Sequence, residues 1–115
     1  MRRLILTSSL TVLLFLAACI GTPLPADKIN YAGAWTAAGV SLDISADGFV
    51  RYKRLSGNIT TKVNAPIKDF KGNSFEVGIW FFTTTFEVSQ PPTLENGKWS
   101  MVVDGVKLEK AALNI

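Results

Sequence analysis

Phe75-Glu-Val-Gly-Ile-Trp-Phe-Phe-Thr-Thr-Thr-Phe-Glu-Val88 is the stretch on which the fold turns. Phe75, Val77, Ile79 and Phe81 alternate with Glu76, Gly78 and Trp80, and then Phe82, Thr84, Phe86 and Val88 alternate with Thr83, Thr85 and Glu87. A period of two puts one set on a core face and the other toward solvent, the pattern of a half-buried β-strand. The two halves are out of phase, so a bulge or turn belongs near Phe81 to Thr83. Parity from Phe75 puts Ile79 and Phe81 inside and Trp80 and Phe82 outside, whereas the second phase puts Phe82 and Phe86 inside. Either way at least one large aromatic is left off the core. Such a residue at a sheet end suits a contact anchor, Trp80 and Phe82 being the candidates. The other reading, burial of this surface under the linker or the C-terminal tail, stays open.

The same period runs through the rest of the chain after Tyr31. Val40, Leu42 and Ile44 alternate with Ser41 and Asp43, and Trp99, Met101 and Val103 with Ser100 and Val102. Turn pairs such as Asp47-Gly48, Gly72-Asn73, Asn96-Gly97 and Asp104-Gly105 punctuate the pattern, and Pro91-Pro92 reads as another break. Asp-Gly and Asn-Gly suit the positive φ angles of tight hairpins. Strands are predicted over 32–37, 40–46, 49–56, 59–65, 67–71, 74–80, 83–89, 98–103 and 106–110, with Pro66 marking a break or an edge. The predicted fold is all-β, a single small antiparallel meander of about eight short strands that closes as a barrel or a sandwich to hide its apolar face. An interior of that size is only just wide enough for Trp, Phe, Ile, Leu and Val side chains to fill. Trp35 and Trp99 are expected in that core.

The N-terminus reads as an address. Arg2 and Arg3 precede a run of 13 residues, Leu4 to Leu16, too short to cross a hydrocarbon core of about 30 Å as a helix. A signal-peptide helix is expected there. Leu16-Ala17-Ala18-Cys19 follows, and all four positions resemble the lipobox of bacterial lipoprotein precursors. The resemblance implies cleavage after Ala18, a diacylglyceryl group on the Cys19 thiol and acylation of the new N-terminus, which together hold a protein firmly on a membrane. Ile20, where an Asp would retain the protein at the inner membrane, implies an outer-membrane lipoprotein facing the periplasm. The expected organisation is a signal peptide at 1–18, a lipidated Cys and linker at 19–30, and a β-domain at 31–115. Pro23 and Pro25 make the linker a semi-rigid spacer.

Gly33-Ala34-Trp35 opens the first strand and resembles the G-x-W signature of lipocalins and related calycin barrels, in which the Trp plugs one end. The resemblance implies a barrel and, as a second functional reading, a carrier of a small apolar ligand. It also implies an Arg from a late strand stacked on that Trp, and no Arg follows Arg54. Small envelope lipoproteins of the lysozyme-inhibitor type share the general look and offer a mechanistic analogy. Arg51-Tyr52-Lys53-Arg54 is the densest basic run, with Arg51 and Lys53 on one face of a strand. It reads either as a patch for an anionic partner or as a solvated strand. Three charges fall short of a typical lipid-binding cluster, which favours the second.

Composition removes most chemistry. The chain has no His and a single Cys, Cys19, which excludes His bases, Ser-His-Asp triads, Cys2His2 zinc and intrachain disulfides. Carboxylates such as Asp47 and Asp104 have a sufficient role in turns. No catalytic residue, metal site or cofactor is assigned beyond the covalent lipid. Without Arg2 and Arg3 the balance is 10 basic against 9 acidic residues, so net charge gives no argument for nucleic acid. The expected function is a non-catalytic, membrane-anchored lipoprotein whose monomeric β-domain contacts another envelope component, a protein or a cell-wall or lipid structure.

Overall fold

The computed structural model describes residues 22–111; Ala18 and Cys19, with the signal and lipobox, lie outside the described residues. A short 3-10 helix, Ala26–Tyr31, leads into nine strands: β1 (Gly33–Ala37), β2 (Val40–Ile44), β3 (Phe49–Ser56), β4 (Ile59–Lys71), β5 (Ser74–Ile79), β6 (Phe82–Phe86), β7 (Val88–Glu95), β8 (Lys98–Val103) and β9 (Val106–Lys110). All pair antiparallel in one sheet of order β6-β5-β4-β3-β2-β1-β9-β8-β7, a meander curled into a half-barrel. At Asn96-Gly97 and Asp104-Gly105 both turn residues have positive φ, between 49° and 79°, as the dipeptides require.

Three strand boundaries differ from the sequence pattern, each for a physical reason. The predicted strands 59–65 and 67–71 are one strand, β4, which runs straight through Pro66. β4 pairs with β3 up to Pro66 and with β5 from Ile67 onward, with a bulge between Ile67 and Asp69. The proline, which has no N–H, therefore stands where the strand changes partner. Conversely, 83–89 is broken at Glu87 into β6 and β7, and β7 runs on through Pro91-Pro92. As the outermost strand, β7 tolerates those prolines, and its pairing with β8 slips between Gln90 and Thr93.

The break at Glu87 brings the two edge strands together at one corner. β6 and β7 are the two edges, yet Glu87 alone separates them, and the alternation of pairings makes them run in the same sense. The chain thus leaves one edge and enters the other without doubling back. Asp104, in the β8–β9 turn, holds the corner twice. Its carboxylate accepts from the Glu87 N–H at 2.9 Å, and its own N–H donates to the Glu87 carbonyl at 2.8 Å. From the other side the Ser74 hydroxyl accepts from the Val88 N–H at 2.9 Å.

The inward set fills the curl. Trp35, Leu42, Val50, Phe75, Val77, Phe86, Met101 and Leu108 are all buried to 1% exposure or less. Phe75 stacks on Phe86 at 5.2 Å, and Tyr52 meets Phe86 edge-on at 5.0 Å. Part of the segment assigned to the linker also belongs to this core. Leu24 is buried, its N–H bonded to the Ala46 carbonyl, and Tyr31 closes the mouth of the sheet edge-on to Phe70 and Phe75. The Tyr31 carbonyl accepts the Trp35 indole N–H at 2.8 Å, and its hydroxyl donates to the Asn73 carbonyl at 2.8 Å. Among the described residues no buried side-chain polar atom lacks a partner.

Trp99 is half-buried rather than in the core centre. It lies at the rim, where Lys110 reaches between two indoles, 4.9 Å from the Trp35 ring and 5.1 Å from Trp99, and donates to the Asn30 carbonyl. The late-strand cation over Trp35 is therefore Lys110, delivered by its cross-strand register with Trp35. Gly33 leaves room for the lysine stem: at φ +140° it has no side chain, and a Cβ there would come within 3.0 Å of the Lys110 Cε.

Two outcomes test this scheme. Burial, with a smaller contribution from Asp27, raises the Tyr31 phenol above its ordinary 10.0. The unfolded chain gives up that proton first, so the tyrosine's stabilisation is whole below about pH 10 and is lost as pH rises through the folded value. Burial lowers Lys110 below 10.5, which works in the opposite direction over the same alkaline range. Denaturant titrations should show Tyr31→Phe costing about 1 kcal/mol at neutral pH and losing less stability than the parent above pH 10. At the corner, Asp104→Ala should cost about 1–3 kcal/mol, because Asp104 supplies an acceptor and a short polar side chain that tolerates positive φ, and alanine supplies neither. Asp104→Asn, which keeps both properties, should lie within about 0.5 kcal/mol of the parent.

Candidate contact surface

Trp80 and Phe82 come together at the β5–β6 hairpin. Ile79 pairs with Phe82, so Trp80 and Phe81 alone form the turn, at the place where the two sequence phases collide. The phase break is thus a full reversal rather than a bulge. It also corrects the parity assignment: Ile79 and Phe81, expected inside, are exposed at 56% and 80%, beside Trp80 at 79% and Phe82 at 70%. Phe75 and Val77 reach the core on one strand and Phe86 on the other, but the hairpin tip projects past it.

The local geometry is costly for these residues. Trp80 has φ 57°, a conformation that glycine or asparagine adopts readily and a bulky side chain does not. Gly78 makes the close approach possible: at φ 147° its α-carbon faces β6, and a Cβ would collide with the Phe82 carbonyl and come within 2.8 Å of the Thr83 Cα. The Phe81 and Phe82 rings lean on each other with centroids 4.5 Å apart. The Lys68 ammonium, reaching from the β4 bulge, donates to the Trp80 carbonyl at 2.7 Å.

Arg51 and Lys53 occupy a different part of the outer face. Both are exposed on β3, while Tyr52 turns inward, as the alternation requires. Cross-strand register sets Arg51 between Asp43 and Asn64, and Lys53 between Ser41 and Lys62. The six side chains rim a shallow depression of about 210 Å³. Among the described residues the one ion pair within 4 Å is Lys28–Asp27, so Arg51, Lys53 and Lys62 have no carboxylate that close. Arg51 instead lies 5.8 Å from the Phe49 ring. Lys62, Asn64, Pro66 and Lys68 share the outer side of β4, since Val63, Ala65 and Ile67 pack inward, and this row links the basic depression to the aromatic tip.

Lys62 and Lys68 were missed by the sequence reading, although the signal for Lys62 was present. A two-residue turn at Gly57-Asn58 pairs Ser56 with Ile59 and therefore Lys53 with Lys62. Lys68 depends on the bulge, which no residue pattern announces. Among the described residues no three His, Cys, Asp or Glu side chains group together, and no helix is long and apolar enough to cross a membrane. Searches with family models, against curated proteins and against solved structures found no match to this chain.

Because Trp80 is exposed and sits at positive φ, Trp80→Asn should leave the fold intact and raise its stability by on the order of 0.5–1 kcal/mol, measured by thermal or urea unfolding. A loss of 3 kcal/mol or more, the scale for removal of a buried Trp, would show that the turn is packed against something within the domain.

Proposed function

We propose that this chain is a non-catalytic, lipid-anchored lipoprotein of the cell envelope, held at the outer membrane through Cys19 and facing the periplasm, whose β-domain binds another envelope component. The observation that carries this reading is the contrast between inside and outside. The interior is filled by side chains with almost no exposure, whereas four large apolar residues, Ile79 to Phe82, stand at 56% to 80% exposure around a turn in which Trp80 is held at positive φ. A domain of this size keeps such a feature at the expense of stability, as binding sites do. The basic depression around Arg51, Lys53 and Lys62 supplies a second contact, suited to an acidic surface.

A lipocalin-like carrier is the alternative, and Lys110 over Trp35 is the observation in its favour. An interior apolar cavity of about 300 Å³ or more would support it. A void of about 610 Å³ does exist, but it is an open groove at the rim, bordered by Thr36, Lys98, Glu109 and Lys110 around Trp99. A groove open to solvent encloses no apolar molecule, and the filled core supports the binding module.

The anchor depends on one sulfur atom. Cys19→Ser should abolish acylation, seen as loss of the lipid mass, and should release the protein from membranes or stall it as the precursor. Recovery of a Cys19→Ser protein at mature size in the membrane fraction, without lipid mass, would refute the anchor.

A further inference from the structure

We propose that the β5–β6 turn is a membrane wedge: Ile79, Trp80, Phe81 and Phe82 enter the headgroup–acyl boundary of the leaflet that holds the lipidated Cys19. The proposal takes its geometry from the lipid-anchor reading above and gives the aromatic tip a partner of defined chemistry, a lipid surface.

The first support is where the chain enters the domain. The Thr22 carbonyl lies against Gly48, so closely that a Cβ there would collide with it. The Gly48 carbonyl accepts from the Ile67 N–H at 2.7 Å, and the next residue, Lys68, donates to the Trp80 carbonyl at 2.7 Å. Thr22 and Lys68 also border one groove of about 180 Å³. Thr22, Gly48, Ile67, Lys68 and Trp80 thus form an unbroken line of contacts. Cys19 precedes Thr22 by three residues, at most about 10 Å of extended chain. A lipid on Cys19 would therefore hold the bilayer close to the groove that Thr22 and Lys68 border, one lysine side chain away from the backbone of the aromatic turn. Leu24 and Tyr31 pack into the core, so the domain's fixed structure begins within a few residues of Cys19 in sequence.

The second support is the chemistry of the tip. A turn that enters a medium of low polarity must have its backbone carbonyls satisfied. The Trp80 carbonyl is satisfied by the Lys68 ammonium, whose charge then lies at the base of the tip, at headgroup level. Above it stand an indole, two phenyl rings and an isoleucine, the mixture of amphipathic and apolar side chains that suits a membrane interface. The outer row of β4 continues the basic character from Lys68 to Lys62, which suits an anionic leaflet.

The test uses the full chain, purified from membranes and reconstituted into phosphatidylcholine vesicles, with and without phosphatidylglycerol, whose acyl chains carry bromine. Trp35 is buried and Trp99 half-buried at the far rim, so contact quenching by bromine reports Trp80. Brominated lipid should quench part of the parent's tryptophan emission and none of that of Trp80→Phe, and mass spectrometry of the same sample reports the acyl groups. Soluble Cys19→Ser protein added to the vesicles should still bind, with an affinity that falls on the order of tenfold or more when Trp80, Phe81 and Phe82 are all replaced by Ser. An acylated, vesicle-bound protein whose emission is unquenched would overturn the wedge and leave the anchor standing. Quenching without acyl mass would uphold the wedge and remove the anchor. A dimer lost in Trp80→Ser, with no quenching, would assign the tip to a second copy of this chain and overturn the wedge.

Discussion

An antiparallel sheet of nine strands has two unpaired edges, and among the described residues no α-helix covers them. At Glu87 the chain steps from one edge directly onto the other. Asp104 grips both backbone groups of that residue, and Ser74 grips the next. Because the corner is fixed, Phe86 and Val88 are both directed into the curl, and the rings of Phe75, Tyr52 and Tyr31 gather around them. The position of Lys110 over the plug follows from the β1–β9 register, whereas the joining of the two edges rests on that one bend. Its holder is an Asp whose evident role in the sequence was only to form a turn.

Class and topology were legible because strict alternation and Asp-Gly or Asn-Gly turns are local signals. Trp35 was expected in the core from Gly33-Ala34-Trp35 at the start of the first strand, and its register with Leu42 puts it there. What escaped was whatever depends on more than one neighbour. Pro66 looks like a break when read alone, and only the exchange of partners around it shows that a strand can pass. Ile79 and Phe81 are in phase with Phe75, but parity says nothing about where a core ends, and these residues lie beyond its end. Trp99 has the right phase and sits at the rim, where the core gives out.

The surface was half legible. An aromatic left off the core was predicted from the collision of two phases, and the tip contains it. Its extent, four residues rather than one or two, depends on the tight reversal at Trp80 and Phe81. The basic run on β3 was visible in the sequence. Its enlargement by Lys62 needed the register of a hairpin, and its link to the tip through Lys68 needed a bulge.

The pairing of β1 with β9 carries a consequence for how the protein is made. β2 to β6 can add one hairpin at a time as the chain emerges, each strand meeting the one before it. β1 lies in the middle of the finished sheet, and its second side stays empty until residues 106–110 arrive to set Lys110 beside Trp35. The core around Trp35 is therefore completed by the last strand rather than the first, a long loop to close before its contacts reward it. A nascent chain of this design stays unfinished until nearly all of it has been synthesised. For the exported lipoprotein proposed above, that is the state in which a chain can still be threaded through a narrow pore.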